Sequence, residues 1–152
     1  MDIAEPAKTK PRTYTYKTCM SWTGGRSGVL ESNGKPSFRV SSPPEFKGEA
    51  GVWTPEDLFV ASVEACHMAT FMAFATRKSV TIKSYQSHSN GVLEFVDGDF
   101  RFTRIVIFPT IVVDSSESEK VVHAILQETQ KHCLVTNSIA SIVEVNPTII
   151  ME

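Results

Sequence analysis

Cys66 and Cys133 sit in unlike and complementary settings along this chain. Cys66 lies within a nearly unbroken apolar run, Leu58 to Ala75, where a thiol is ordinarily inert packing. Burial there raises the thiol pKa, so a reactive Cys66 needs a cation aimed at it. Cys133 follows Lys131 and His132 and precedes a short segment opening with Thr136 and Asn137. Cationic neighbours and a helix start both favour a thiolate, which marks Cys133 as the thiol in the more activating setting. Folded together, the two would form the parts of a thiol–disulfide cycle. The third cysteine, Cys19, falls on the polar face of an early strand and reads as incidental.

Arg26 and Glu56 are the charged residues that could serve such a pair. Arg26 follows Gly24-Gly25 and is either a solvated turn residue or a guanidinium delivered toward a buried anion. Glu56 stands on the first turn of the apolar helix, where a carboxylate could hold an arginine in a two-point bridge. His67 and His132 each adjoin a cysteine, so a zinc site built from Cys66, His67, His132 and Cys133 has to be weighed. Adjacent helical residues point about 100° apart, which prevents Cys66 and His67 from easily sharing one ion. No metal is expected. The G-x-S-x-G, G-x-G-x-x-G and P-loop patterns are all lacking, so no cofactor is expected either.

The elements that must position these residues follow from periodicity. Tyr14 to Trp22 alternates as a half-buried strand, Gly28 to Ser32 reads as a second, and Asn33-Gly34 turns into a third over Lys35 to Val40. Thr54-Pro55-Glu56-Asp57 carries cap, proline and acidic first-turn signals for a helix reaching about Lys78, apolar almost all round and so expected to be buried on most sides. Strands are expected near Thr81 to His88, Gly91 to Val96 and Arg101 to Val113, with turn or bulge signals at Asn90-Gly91 and Asp97-Gly98. Pro109 suggests an edge strand or a bulge. A one-sided helix to about Lys131, a short helix from Thr136 to Ile142 and one last strand to Ile150 complete an α+β protein.

Bulk properties narrow the function. The 152 residues are 41% hydrophobic and 21% charged, which suits one globular domain over 13–152 behind a loose, proline-containing tail over 1–12. A net charge of −2 without a basic patch argues against nucleic acid and anionic membrane as partners. The long apolar run carries Ser62, Glu64, His67 and Thr70, which favours a buried helix over a membrane span. Three cysteines with no signal peptide point to a reducing cytoplasm.

Several stretches together resemble the OsmC/Ohr family of osmotically inducible and organic hydroperoxide resistance proteins. They are Gly24-Gly25-Arg26-Ser27-Gly28, Thr54-Pro55-Glu56-Asp57-Leu58-Phe59, Ala61-Ser62-Val63-Glu64-Ala65-Cys66, and Cys133-Leu134-Val135-Thr136-Asn137-Ser138-Ile139. Cys66-His67-Met68 is similar to an OsmC-like branch, and Leu134 stands where the family often has proline. The resemblance implies an intertwined homodimer, with curved antiparallel sheets around buried central helices. It also implies a thiol-dependent reductase for organic hydroperoxides. Cys66 would attack the peroxide, Cys133 would resolve the sulfenic acid as a disulfide, and an external dithiol would reset the pair. Arg26 would stabilise the thiolate and Glu56 would hold the arginine, with Arg39 as a rival because the family arginine varies in position. Met68, Phe71 and Met72 are candidates for an apolar pocket wall. The alternative on the same fold is a non-enzymatic protein that binds a small apolar ligand or senses redox state.

Overall fold

The computed structural model describes residues 12–152, which fall into two compact units, one ending at Thr54 and one running from Pro55 to Glu152. Apart from Arg12, the tail expected over 1–12 lies outside the described residues.

The first unit is a three-stranded antiparallel sheet of β1 (Cys19–Gly24), β2 (Ser27–Glu31) and β3 (Phe38–Ser41) in that order. The first strand begins at Cys19 and not at Tyr14, because β2 ends at Glu31 opposite Cys19 and leaves the earlier alternating residues without a ladder partner. β3 likewise begins after Pro36, whose nitrogen has no hydrogen to give to a ladder. The turn at Asn33-Gly34 forms as expected, closed by the Lys35 amide donating to Ser32 O at 3.0 Å.

The second unit opens with α1 (Pro55–Arg77), which starts and ends within a residue of expectation. Only Val63, His67, Phe71 and Ala75 on it are buried. They recur every four residues and form one stripe, so a single chain covers one face of α1 and not most of its sides. α1 is long and apolar enough to cross a bilayer, yet it is tied to the sheet by polar bonds, Ser87 Oγ donating to Glu64 and His67 Nδ1 pairing with the Tyr85 hydroxyl at 3.3 Å.

That sheet is built on a long hairpin of β4 (Ile82–Val96) and β5 (Asp99–Val113), turned at Asp97-Gly98, where both residues have positive φ (52° and 85°). Asn90-Gly91 is not a turn, although the ladder shifts register just beyond it, between Val92 and Leu93. Both residues sit inside β4 opposite Val106 and Ile105. Gly91 serves close approach: a Cβ built there would lie 2.4 Å from Val60 Cγ2 and 2.9 Å from Phe102 Cε1. Val60 is β-branched and stiff, so it cannot swing away freely. Gly91→Ala is therefore expected to cost about 1–3 kcal/mol, read as a lower urea midpoint at unchanged slope. An unchanged midpoint would show that α1 lifts off β4 without cost.

Pro109 is neither at an edge nor at a bulge. It faces Ser87 on β4, and on its other side β5 pairs in parallel with β6 (Ile142–Val145) through Arg104–Ile107 and with β7 (Thr148–Met151) through Thr110–Val113. Proline fits in the gap between the two short strands, where no ladder donor is required. The single last strand of the expectation is thus two, broken at Asn146-Pro147, and the sheet is mixed instead of wholly antiparallel.

α2 (Ser116–His132) is capped by Ser115, whose hydroxyl accepts from the Ser118 amide at 3.2 Å. Its Val122, Ile125 and Leu126 meet Phe71, Ala75, Ile111 and Val113 in the main core, and Val63, Ile105 and Ile107 form a second cluster. The result is the expected α+β architecture.

Candidate active site

The two thiols are brought together within the second unit. Cys66 lies midway along α1, half-buried, and Cys133 is the fully buried residue that terminates α2. The Cys133 amide donates to Thr129 O at 2.9 Å, so the chain leaves the helix there, and the Cys133 carbonyl then accepts from Asn137 N at 3.0 Å. The short helix expected from Thr136 to Ile142 begins there but is one 3-10 turn, Thr136–Ser138. This loop lays the Cys133 thiol and the main chain of Leu134 and Val135 against the Cys66 sulfur, while Thr70 Oγ1 sits 4.0 Å from that sulfur one helical turn along α1.

These surroundings make the two thiols unequal. Burial pushes the Cys66 thiol up, but the Val135 amide, the Cys133 thiol, the Thr70 hydroxyl and the Leu134 amide all donate toward it and together carry it below the ordinary cysteine value. Burial pushes Cys133 up and prevails. Thr136 Oγ1, donating to its sulfur at 3.3 Å, opposes the rise, while the neighbouring Cys66 adds to it. The order is the reverse of what the sequence neighbours of the two thiols imply. Cys133 stands at the C-terminal end of α2, where the helix dipole disfavours an anion, and the single 3-10 turn that follows it is too short to offset this. Cys66, in turn, is favoured by neutral donors, most of them main-chain or hydroxyl groups.

Beside the pair runs an open cleft of about 520 Å³. Cys66, Ala69, Thr70 and Ala73 form its floor along α1, Leu134 stands on one wall, and Phe74, Arg77 and His132 lie toward the C-terminal end of the helix. Phe71, expected in a pocket wall, is instead fully buried in the core, and Met68 and Met72 do not line the cleft.

The other anticipated residues are described by their own surroundings. In the first unit, Arg26 Nη1 donates to Phe46 O at 2.5 Å, and Arg39 pairs with Glu49 at 2.5 Å. Glu56, in the first turn of α1, has a buried Oε2 without a hydrogen-bond partner among the described residues. His67 faces Tyr85 and the core, and His132 Nε2 lies 3.6 Å from Glu128. Among the described residues no group of three His, Cys, Asp or Glu side chains is arranged to hold a metal. What sequence reasoning missed were the amides of Leu134 and Val135, which have no side-chain signature.

Comparison with known proteins agrees with the fold. Residues 48–148 match the family described as OsmC-like protein, and the chain belongs to that family. A relative in Bacillus subtilis, the uncharacterized protein YmaD, is 24% identical over 129 residues, 82% of this chain and 85% of YmaD. Among solved structures, an OsmC-like protein of unknown function from Vibrio cholerae superposes with a TM-score of 0.81 at 20% identity, over 89% of this chain and 99% of the other. The Legionella pneumophila organic hydroperoxide resistance protein OsmC gives 0.72 at 22% identity, over 92% and 99%. The Elizabethkingia anophelis organic hydroperoxide resistance protein also gives 0.72, at 20% identity over 94% and 100%.

Proposed function

We propose that this protein is a cytoplasmic, thiol-dependent organic hydroperoxide reductase. The observation that carries the proposal is the Cys66 sulfur, lowered in pKa, lying in hydrogen-bonding contact with a buried Cys133 thiol raised in pKa. Unequal thiols in contact divide the labour of a peroxide cycle: one attacks, and the other waits protonated.

In the first step the Cys66 thiolate attacks the distal peroxide oxygen. The O–O bond breaks, a sulfenic acid forms on Cys66, and the departing alkoxide takes up a proton to leave as alcohol. Cys133 then gives up its proton and attacks the Cys66 sulfur. The S–O bond breaks, water leaves, and a disulfide joins the two residues. An external dithiol reduces that disulfide and is itself oxidised. Arg26, with Glu56 as its holder, is assigned the positive charge that orients the peroxide. The buried Oε2 of Glu56, without a hydrogen-bond partner among the described residues, is a group that calls for a donor or cation.

The reductase works as a homodimer in this proposal. Tyr16, Trp22, Trp53 and Met68 are exposed large hydrophobic residues, and only one stripe of α1 is fully buried in one chain. Such surface is what a second copy would bury.

The test is turnover of cumene hydroperoxide with dithiothreitol. Native protein is expected to convert it catalytically, and Cys66→Ser protein to fall to the uncatalysed rate. Equal rates for the two would overturn the proposal. The open cleft also suits a non-enzymatic apolar-ligand binder. A ligand co-purifying in stoichiometric amount, with no turnover, would establish that reading in its place.

A further inference from the structure

Cys133 is fully buried, yet polar donors meet its sulfur. Thr136, three residues on, faces it twice. The hydroxyl donates to the sulfur at 3.3 Å, and the Thr136 amide donates to it as well. The loop is folded to allow this. The Asn137 amide donates to the Cys133 carbonyl at 3.0 Å and the Ser138 amide to the Val135 carbonyl at 3.0 Å, which leaves the Thr136 amide to the sulfur. A thiol that serves only as packing needs no such donors, because a neutral S–H is a weak acceptor. Donors aimed at a sulfur favour its anion.

The balance at Cys133 changes in the course of the proposed cycle. Burial raises the Cys133 thiol and the two Thr136 donors oppose that rise. Cys66 adds to it, both by accepting the Cys133 proton in a hydrogen bond and by its negative charge. The Cys66 contribution lasts only while Cys66 is a thiolate. Once that sulfur is a neutral sulfenic acid its charge is gone, whereas the Thr136 hydroxyl and amide stay in place. Cys133 is thus held protonated before the peroxide is reduced, and its deprotonation is eased afterwards.

We propose that Thr136 is a catalytic residue of the resolving step, its hydroxyl and amide holding the negative charge that gathers on the Cys133 sulfur as it attacks Cys66. The inference rests on the proposed peroxidase reading and adds to it the group that activates the second thiol. In that step the Cys133 proton goes to the departing hydroxyl, the Cys66 S–O bond breaks, water leaves and the S–S bond forms. Cys66 is reduced from the sulfenic acid and Cys133 is oxidised from the thiol. A hydroxyl that did no more than pin the 3-10 turn would affect stability and leave the rate of this step untouched.

The experiment separates the attack of Cys133 on Cys66 from peroxide chemistry. Protein carrying Cys19→Ser is treated with one equivalent of dithiobis(nitrobenzoate). The Cys66 thiolate displaces one thionitrobenzoate and keeps the other as a mixed disulfide. Cys133 then displaces the second and closes the Cys66–Cys133 disulfide. The colour of free thionitrobenzoate follows both releases. Thr136→Val, similar in shape without the hydroxyl, is expected to slow the second release about tenfold, as the loss of a hydrogen bond to a charged atom would. Thr136→Ser, which keeps a hydroxyl, should restore most of the native rate. With cumene hydroperoxide, Thr136→Val should lengthen about tenfold the interval between alcohol release and disulfide formation, and should lose Cys66 to the sulfinic acid at a lower peroxide concentration. A slower second release in Thr136→Val, restored in Thr136→Ser, supports the assignment even if no peroxide is turned over. Equal rates in native and Thr136→Val protein, a Thr136→Ser protein as slow as Thr136→Val, or native protein that keeps the mixed disulfide would overturn it even if cumene hydroperoxide is reduced.

Discussion

Cys133→Ser protein is expected to consume one equivalent of cumene hydroperoxide at the native rate and then to lose about a hundredfold in steady-state turnover with dithiothreitol. The first event needs only the Cys66 thiolate, and most of the donors that favour it survive the substitution. The Val135 and Leu134 amides and the Thr70 hydroxyl are untouched, and a serine hydroxyl can still donate where the Cys133 thiol did. The second event needs a sulfur held against Cys66. A positioned intramolecular group acts at an effective concentration far above any added thiol, so its removal hands the sulfenic acid to a slow bimolecular reaction. Left unresolved, that acid meets further peroxide and is driven to the sulfinic state, from which a dithiol does not recover it. A rapid-quench count of alcohol released, followed by mass spectrometry of Cys66, reads both events. Undiminished steady-state turnover would mean that Cys133 is packing and that the external dithiol attacks Cys66 directly.

This asymmetry shows how far residue identity alone could reach. Both cysteines, both main helices and the α+β order were legible, because an apolar run with a proline and acids at its start, and a one-sided helix behind a serine cap, are signals written in side chains. The ranking of the two thiols was not legible in the residues that flank them. It depends on which main-chain amides point at which sulfur, and every residue carries the same amide. Gly91 misled for a related reason. Asn-Gly is a turn signal when nothing opposes it, but here the missing side chain makes room for Val60 of α1, a long-range fact. Pro109 likewise reads as an edge residue until two short parallel strands, far along the chain, are seen to leave a gap opposite it.

The pH dependence of stability turns on His67. Its ring is buried against the sheet with Nδ1 3.3 Å from the Tyr85 hydroxyl and Nε2 without a hydrogen-bond partner among the described residues. Protonation would put a charge in the core and a donor with nothing to receive it, so burial lowers the imidazole from 6.5 to about 4. Burial likewise pushes the Tyr85 phenol up to about 12, so it stays protonated throughout. Above pH 6.5 the histidine is neutral in native and unfolded chains alike and contributes no pH dependence. Between 6.5 and about 4 the unfolded chain takes the proton and the native chain refuses it, so stability falls as the pH falls. Below about 4 both states carry the proton and the loss, about 3 kcal/mol, is complete. Urea unfolding across this range should show that loss in native protein, and His67→Gln, which cannot titrate, should lack it while keeping whatever slope the carboxylates impose. Identical slopes in the two proteins, or an imidazole resonance titrating near 6.5, would place the ring in water. The prediction bears on the active site too, because His67 follows Cys66 in the chain. α1 presents its thiol to the cleft by anchoring the next residue on β4, and acid that unseats His67 is expected to loosen the helix at the position where the sulfur must be held.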